Sequence, residues 1–524
     1  MAEQEESSSV AGLVLVGALL AFAVLMFLAN FTGQMAQPTD KAVRNGELVQ
    51  PGKGKAKGKV KVKAKAKGKS SRPLAAPEEL RVASPLADQP AAPEGAPNVV
   101  MVVLTSARRD QLTPYGAKPG VTPFLQRVAD RGVRFTDVIS ESPYSKVAGV
   151  ALFTGRHSWM LDMVEPGPRV NQRVLPPEVD TLPELLQRAG WHTLGVTGNF
   201  NLNTEGGISQ GYDHFQNAQA NGFAPGRRAE VGLIGKTVDE WLDARPADRP
   251  FFLHVGLIDM HAPIRVVDAE LQNFDPDTPN ADYRSALHRV DKALEGLWAR
   301  LKKDGVADNT ILVVTGDHGI GLKTPEHHGG LHGRLLYDSS IGVPLIISGP
   351  GVASGAAVDG ITAQVDLMPT VLELAGVAVP EGLDGRSWAA QVRGESPKTD
   401  RKRAYAATWH FGAQRASVWT TERQCQLDFG SVGFEDDFTD ACFDRVADPT
   451  FTTAITERKL IDELDGWRQD VMKLVTKLPP EKAGKPKAKG KKPKGKPGAK
   501  GKAGAKGKAS PKSKSKSKSK GKGK

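Results

Sequence analysis

The chain has 524 residues, a formal net charge of +12 and hydrophobic side chains at 39% of its positions, which is enough for one large or two ordinary domains. The basic excess lies in residues 53–72 and 482–524, which together carry 29 positive charges and no acid, so the remainder of the chain sums to −17. An acidic remainder argues against a basic nucleic-acid groove on a folded domain. The two cysteines have no zinc-binding spacing.

An uncharged apolar run follows the short acidic segment at residues 1–9. It extends from Val10 to Phe31 and is long enough to cross a hydrocarbon core of about 30 Å as a helix. A cleaved signal peptide would begin with basic residues and have a shorter apolar part, so we expect an uncleaved transmembrane anchor over residues 10–31. Lys41 and Arg44 follow the run and no Lys or Arg precedes it, a pattern that favours a cytoplasmic location for the rest of the chain.

Lysine-rich sequence of low complexity lies on both sides of the central region. Residues 32–96 are predicted to be a disordered Lys/Pro-rich tether, because lysines alternate with Gly, Ala or Val from Lys53 to Lys69 and Pro-rich sequence follows. Residues 479–524 are predicted to be a disordered tail of similar composition. Such segments keep a protein soluble, or they bind an anionic polymer or a membrane surface. The hypothesis of a membrane protein that associates with DNA is supported only by these lysine-rich segments. We expect no specific nucleic-acid partner.

Strands alternate with helices between Pro97 and about Leu478. Val99 to Leu104 is a continuous apolar run, which is typical of a strand buried on both faces. Hydrophobic periodicity predicts the further elements, which in chain order are helices over 122–131 and 182–189, a strand over 250–258, a helix over 283–303, and strands over 310–315 and 344–348. This order predicts an α/β fold over residues 97–400, with a mainly parallel sheet sandwiched by helices. Shorter and more polar sequence predicts a small C-terminal α+β subdomain over residues 401–478.

Polar clusters follow three of the predicted strands, at residues 105–110, 259–261 and 317–332. Ligands of such sheets bind beyond the carboxyl ends of the strands. Asp317 and His318 come directly after a buried strand and next to Gly319. Carboxylate and imidazole are ordinary metal ligands, and a glycine lets the backbone turn close to an ion. The cluster therefore favours a metal or anion site, although surface loops also collect histidines.

Motifs along residues 97–460 resemble those of the sulfatase family, within the alkaline phosphatase superfamily, and occur in the order of that family. The opening motif is Pro97 to Leu104, followed by Arg108, Arg109 and Asp110. Ser142-Pro143-Tyr144-Ser145 resembles the nucleophile segment. The later matches are Asp259 to Pro263, Gly316 to Gly319, His332-Gly333, Leu336 to Asp338, Asp366 to Thr370, and Cys442 to Asp444.

The resemblance implies a metal-assisted hydroxyl nucleophile that attacks a sulfate or phosphate ester. The catalytic residues that it implies are Ser145, His261 and His332. Lys146 and Arg108 stand at substrate-binding positions. The positions of the metal ligands are those of Thr105, Ser106, Asp317 and His318. The implied cofactor is a divalent metal ion, Ca²⁺ first, with Mg²⁺ or Mn²⁺ as the others.

The nucleophile segment departs from the family pattern. Sulfatases usually convert a Cys or Ser to formylglycine within a C/S-x-P-x-R pattern, and Val147 and Gly149 replace the Pro and the Arg here. Conversion of Ser145 to formylglycine is therefore not expected. An ordinary reading of Ser145 is that it caps the helix that follows.

The charged positions of the family pattern are altered as well. Thr105 and Ser106 stand where the family has Asp ligands, and their neutral side chains weaken a site for a hard cation. Asn199 and Asn201 stand near the Lys and His of many sulfatases. Two hypotheses therefore stay open: a membrane-anchored sulfatase-like hydrolase or transferase, and a catalytically degraded relative that serves as a binding or scaffolding protein.

The resemblance also implies a location. It places the domain on the periplasmic or extracellular side of a cytoplasmic membrane that the chain crosses once, and long domains can be translocated despite their flanking charges. Cys425 and Cys442 are then expected to form a disulfide, because the cytosol keeps thiols reduced. Two unrelated buried thiols are the alternative.

Overall fold

The computed structural model describes residues 91–161, 163, 173–204, 206–217, 231–265, 267, 279–322, 332–410, 413–428, 440–455 and 457–477. The predicted anchor at residues 10–31, the tether up to residue 90 and the tail from residue 478 lie outside the described residues. Within the described part, no helix combines the length and the apolar character needed to cross a membrane.

The strands and helices of these residues alternate along most of the chain. In chain order the strands are β1 (Asn98–Leu104), β2 (Val133–Ile139), β3 (His192–Thr197), β4 (His214–Asn217), β5 (Phe251–Leu257), β6 (Thr310–Gly316), β7 (Gly342–Val343), β8 (Leu345–Ser348), β9 (Ala356–Ala363), β10 (Ala404–Thr408), β11 (Arg415–Trp419), β12 (Arg423–Asp428), β13 (Ala441–Asp444) and β14 (Ala454–Ile455). The helices are α1 (Pro123–Asp130), α2 (Ser145–Thr154), α3 (Leu182–Arg188), α4 (Val231–Ala244), α5 (Ala281–Lys303), α6 (Asp338–Ile341), α7 (Leu367–Leu374), α8 (Ala389–Val392) and α9 (Arg458–Lys477).

The first nine strands form one sheet in the order β4-β3-β5-β1-β6-β8-β2-β7, with β9 paired to β2. Five of the pairs are parallel, namely β4–β3, β3–β5, β5–β1, β1–β6 and β2–β9. The pairs β6–β8, β8–β2 and β2–β7 are antiparallel. The predicted α/β fold with a mainly parallel sheet is confirmed, and β1 lies at its centre.

Both faces of the sheet are covered by helices, which explains the apolar sequence of β1. Val99, Met101 and Val103 pack into one hydrophobic cluster with residues of α2, α3 and α7. Val100, Val102 and Leu104 pack into a second cluster, on the other face, with α1, α4 and α5. Since successive side chains of a strand point to opposite faces, a strand in this position is apolar at every residue.

A second, antiparallel sheet of the order β10-β11-β12-β13-β14 follows the large one. Leu464 of α9 packs against one of its faces, together with Val418, Cys425 and Cys442. Trp419 and Phe443 pack, with residues such as Ile139 and Ala363 of the large sheet, into a shared cluster. The small α+β unit expected from the sequence is therefore present. Cys425 and Cys442, which face each other in the β12–β13 register, form a disulfide.

Candidate active site

The carboxyl ends of β1 and β6 bring two of the predicted polar clusters together. Leu104 and Gly316 are register partners, so Thr105 and Ser106 lie beside Asp317 and His318. Asp317 Oδ1 accepts the backbone N–H groups of Ser106 at 3.1 Å and of His318 at 2.6 Å. These four residues are fully buried, and the carboxylate is fixed to the backbone of both strand ends.

The strand end at Ser106 has an unusual backbone. Its φ of 63° lies in the left-handed region, which a residue other than glycine rarely adopts. The hydroxyl of Tyr283, from α5, donates to the carbonyl of Ser106 at 2.8 Å and accepts the N–H of Arg108 at 2.9 Å. Functional sites often hold such strained residues, and here the turn aims the N–H of Ser106 at Asp317.

Asn199 follows β3 and joins the same group. Its Nδ2 donates to Thr105 Oγ1 at 3.1 Å and to Asp317 Oδ2 at 3.4 Å. Its Oδ1 accepts the backbone N–H of Asn201 at 3.0 Å. A backbone N–H is only a donor, so this bond requires the oxygen of the amide on that side. The NH₂ group therefore faces the carboxylate.

Ser145 is the first residue of α2, and Tyr144 occupies the cap position, so a capping role for Ser145 is wrong by one residue. The side chain of Ser145 instead lies with Oγ 3.0 Å from His318 Nε2. His318 Nδ1 lies 2.7 Å from the carbonyl oxygen of Gly319. Because a carbonyl only accepts, Nδ1 carries the proton and Nε2 of the neutral ring is free to accept the proton of the Ser145 hydroxyl.

Two further imidazoles, those of His332 and His261, extend the site from His318. The rings of His318 and His332 stack with centroids 5.0 Å apart, and His332 Nε2 lies 3.1 Å from His261 Nε2. Burial, followed by the neighbouring His261, His318 and His410, holds the pKa of His332 well below its usual value. His332 is therefore neutral at pH 7.

His410 is a part of the site that the sequence did not indicate. Burial and then His318 lower its pKa to about 4. Its ring stacks on Tyr144 with centroids 3.9 Å apart. His410 follows β10 of the small sheet, and the N–H of Ala407 in that strand donates to the carbonyl of Glu141 at 2.8 Å. The rule that polar residues after a strand are candidates would have found it, had it been applied to the small sheet.

The two predicted substrate-binding residues lie at the edges of this group. Lys146 is only 4% exposed, and burial lowers its pKa to about 8. Arg108 packs beside Gly319, and its guanidinium is held by Asp110 at 2.7 Å. The structure thus brings seven of the predicted site residues into one connected group: Thr105, Ser106, Ser145, His261, Asp317, His318 and His332. Lys146 follows Ser145 in the chain, and Arg108 packs against Gly319.

Comparison with known proteins identifies the fold and the family. A family model described as "Sulfatase" matches residues 97–377, and one described as "N-sulphoglucosamine sulphohydrolase, C-terminal" matches residues 326–466. The chain belongs to the sulfatase family. The chain is 24% identical to an N-acetylglucosamine-6-O-sulfatase of Bacteroides thetaiotaomicron, in an alignment that covers 67% of this chain and 81% of that protein. An ulvan-active sulfatase of Formosa agariphila is 23% identical, over 58% of this chain and 67% of that protein.

Solved structures share the fold of this sulfatase at low identity. One, a complex with its substrate D-glucosamine-2-N,6-O-disulfate, is 20% identical with a TM-score of 0.56, over 73% of this chain and 97% of that chain. A phosphonate monoester hydrolase of Agrobacterium radiobacter is 19% identical with a TM-score of 0.57, over 73% of this chain and 96% of that chain. Members of the sulfatase family are sulfuric ester hydrolases, and the described residues of this chain carry a connected polar group at the strand ends of that fold.

The divalent cation that the sulfatase family implies does not fit the side chains present. Among the residues that the structure describes, Asp317 is the one carboxylate of the connected group, and Thr105 and Ser106 offer only neutral hydroxyls. Both ring nitrogens of His318 are engaged, by Ser145 and by Gly319. No cluster of three or more His, Cys, Asp or Glu side chains in the described residues is arranged to hold a metal ion. A hard cation requires several oxygen ligands, with affinity set by their charge.

Proposed function

We propose that this sulfatase hydrolyses a sulfate ester in the pocket of Ser145 and His318, with the unmodified hydroxyl of Ser145 as the nucleophile. The observation that carries the proposal is the 3.0 Å contact of Ser145 Oγ with His318 Nε2. The bond of His318 Nδ1 to Gly319 leaves Nε2 unprotonated in the neutral ring. A hydroxyl next to a positioned base is the usual arrangement of an activated serine.

In the proposed first step, Ser145 Oγ attacks the sulfur while its proton moves to His318 Nε2. Asp317 Oδ2 lies 3.7 Å from that nitrogen, so its negative charge stabilises the imidazolium. The ester S–O bond breaks on the side opposite Ser145. The leaving oxygen takes a proton from the imidazolium form of the partly buried His261, whose Nε2 lies against that of the neutral His332.

In the second step, water attacks the sulfur of the sulfated serine. One proton of that water returns to the histidine pair, and His318 gives its proton back to Ser145 Oγ. The products are the alcohol and hydrogen sulfate, and every group is returned to its starting state. General acid–base catalysis of this kind contributes about 10²- to 10⁴-fold to a rate.

The substrate class that we propose is a sulfated sugar. The chain resembles an N-acetylglucosamine-6-O-sulfatase, and a protein of the same fold is known with D-glucosamine-2-N,6-O-disulfate as its substrate. Lys146, next to Ser145, is proposed to bind the sulfate oxygens. The guanidinium of Arg108 is held by Asp110. Arg108 is proposed to aid substrate binding indirectly, by packing against Gly319, whose carbonyl contacts His318.

We also propose that the protein works outside the cytoplasm, held to the membrane by residues 10–31. The Cys425–Cys442 disulfide supports this proposal, because disulfides persist in oxidising compartments. The lysine-rich segments are proposed to contact an anionic polymer or the membrane surface.

The test measures release of sulfate from a panel of glucosamine O- and N-sulfates, with an aryl sulfate and an aryl phosphate as general substrates. Ser145→Ala and His318→Gln are each expected to lower kcat/KM by about 100-fold or more. Ser354→Ala, at an exposed serine bonded to the carbonyl of Asp130, is the matched control and should be unchanged. Acid-quenched wild type should carry one sulfuryl group on the peptide of Ser145.

Full activity of Ser145→Ala would exclude this serine as the nucleophile. Binding of the sulfated sugars without turnover by the wild type would favour the alternative function, a binding protein on a sulfatase fold.

A further inference from the structure

The side chain of Asp317 is a fully buried carboxylate, and no Lys or Arg of the described residues bonds to it; its ion-pair contact is His318, with Nε2 3.7 Å from Oδ2. It is satisfied by N–H groups: the backbone of Ser106 and His318 on Oδ1, and the amide of Asn199 on Oδ2. Burial of an unpaired charge is costly, and hydrogen bonds to the charged form offset that cost. These three donors take three of the roughly four acceptor sites of the carboxylate, including both on Oδ1.

The loop after β3 fixes the orientation of the Asn199 amide. The N–H of Asn201 donates to Asn199 Oδ1 at 3.0 Å, and the N–H of Asn199 itself donates to Thr197 Oγ1 at 3.0 Å. Asn217 Nδ2 donates to the carbonyls of Asn199 and Leu202 at 2.9 and 3.1 Å. A rotation that turned Oδ1 toward Asp317 would set the NH₂ group against the N–H of Asn201. The amide therefore presents hydrogen atoms, which carry partial positive charge, to Asp317 and Thr105.

The neighbouring oxygens do not compensate for this arrangement. Thr105 Oγ1 accepts from Asn199. Ser106 Oγ is buried and has no hydrogen-bond partner among the described residues, but one neutral oxygen adds no charge to the site. Calcium takes six to eight oxygen ligands, and its affinity follows the number of charged ones.

We propose that this sulfatase pocket holds no divalent cation, and that the NH₂ group of Asn199 takes the place of the cation beside Asp317. The proposal concerns the pocket of the proposed function and rests on that function for its use in catalysis. Its physical content is a difference in ion binding, which is measured without turnover.

Calorimetric titration of Ca²⁺ into the metal-stripped full chain tests the proposal. Wild-type binding at the pocket is expected to be weaker than about 1 mM, the weak end of protein calcium sites. Any heat that remains should be the same in Asp317→Asn, because it arises elsewhere on the chain. A 1:1 site tighter than about 1 mM that Asp317→Asn abolishes would overturn the proposal.

The double variant Thr105→Asp/Asn199→Asp supplies two carboxylates and removes the amide donor. Its affinity for Ca²⁺ should exceed that of the wild type by about 100-fold. No gain in a folded double variant would refute the view that charge and amide orientation exclude the cation. Should the double variant fail to fold, the wild-type Tm decides: it should be equal in EDTA and in excess Ca²⁺, and a rise with Ca²⁺ that Asp317→Asn abolishes would contradict the proposal.

The two proposals fail in distinguishable ways. Sulfate release that survives EDTA supports both. An inactive protein with no pocket cation would leave this proposal standing and refute the proposed function. Activity that EDTA abolishes and Ca²⁺ restores would refute the cation-free pocket and leave the proposed function standing.

Discussion

Asp137 is the centre of an ion network that joins the two sheets. It lies on β2, and its Oδ1 accepts from Arg109 at 2.9 Å and from Arg445, which follows β13 of the small sheet, at 2.7 Å. Arg109 also pairs with Asp338, and Arg445 lies over the ring of Trp419. Burial alone would raise the pKa of Asp137, but the charges of Arg445 and Arg109 outweigh it and lower the pKa to about 2.

The variant Asp137→Asn is expected to destabilise the domain. The drop in pKa from 3.8 to about 2 corresponds to about 2 kcal/mol of folding free energy at pH 7, since one pKa unit is worth about 1.4 kcal/mol. The Asp137 side chain is 13% exposed and that of Arg445 is 9% exposed, so solvent screening of this pair is slight. The asparagine leaves two partly buried guanidinium groups without their shared carboxylate.

The effect has a defined pH dependence. The folded-state pKa of Asp137 is lowered, so its contribution is complete above the unfolded pKa of 3.8 and disappears as pH falls through about 2. At pH 3 about half of the contribution should remain. Urea unfolding of wild type and Asp137→Asn at pH 7, 4 and 3 measures this change.

The matched control is Asp180→Asn, which removes an exposed ion pair with Arg188 and should cost less than about 0.5 kcal/mol. If the difference in unfolding free energy between the wild type and Asp137→Asn were the same at pH 3 as at pH 7, the electrostatic reasoning would be refuted. An Asp137→Asn protein as stable as the wild type would refute it as well.

Two further predictions concern the site and the compartment. Burial lowers the pKa of Lys146 to about 8, so its amine is charged below that pH and KM for a sulfated sugar should rise from pH 7 to pH 9. Lys146→Gln should raise KM about 10-fold at pH 7 and remove the pH dependence. Unchanged kinetics in this variant would exclude Lys146 from substrate binding. Protein taken from its native membrane should give no thiol labelling in denaturant without reductant, because Cys425 and Cys442 are bonded; two labelled thiols would instead indicate a cytoplasmic domain.

The fold was predictable because its strongest signals are local. The unbroken apolar run at residues 99–104 indicated a strand covered on both faces, and hydrophobic periodicity indicated a helix over 283–303, which is α5 with Leu287, Val290 and Leu294 in the core. The antiparallel pairing of β7 and β8 with β2 was not predictable, because pairing partners distant in sequence leave no periodic signal. The disulfide was predicted only on the condition of export.

The site was predictable in position and less so in chemistry. Strand-end clusters led to Asp317, His318 and His261, and the resemblance to sulfatases led to Ser145. Asn199 was recognised from the sequence only as a lost charge, since the direction of its amide depends on the backbone N–H of Asn201. His410 was missed because it enters from the small sheet.

The contribution of β10 to the pocket has a consequence for how the protein is made. Ser145, Asp317 and His332 leave the ribosome before the strand that carries Ala407 to the carbonyl of Glu141 and His410 to the ring of Tyr144. A chain that ends before β10 therefore lacks the bond of Ala407 to Glu141 and the stack of His410 on Tyr144, the residue next to Ser145. The small sheet is translated after the large one, so a nascent or truncated chain would hold Ser145, Asp317 and His332 without His410, the imidazole that the small sheet adds to this group.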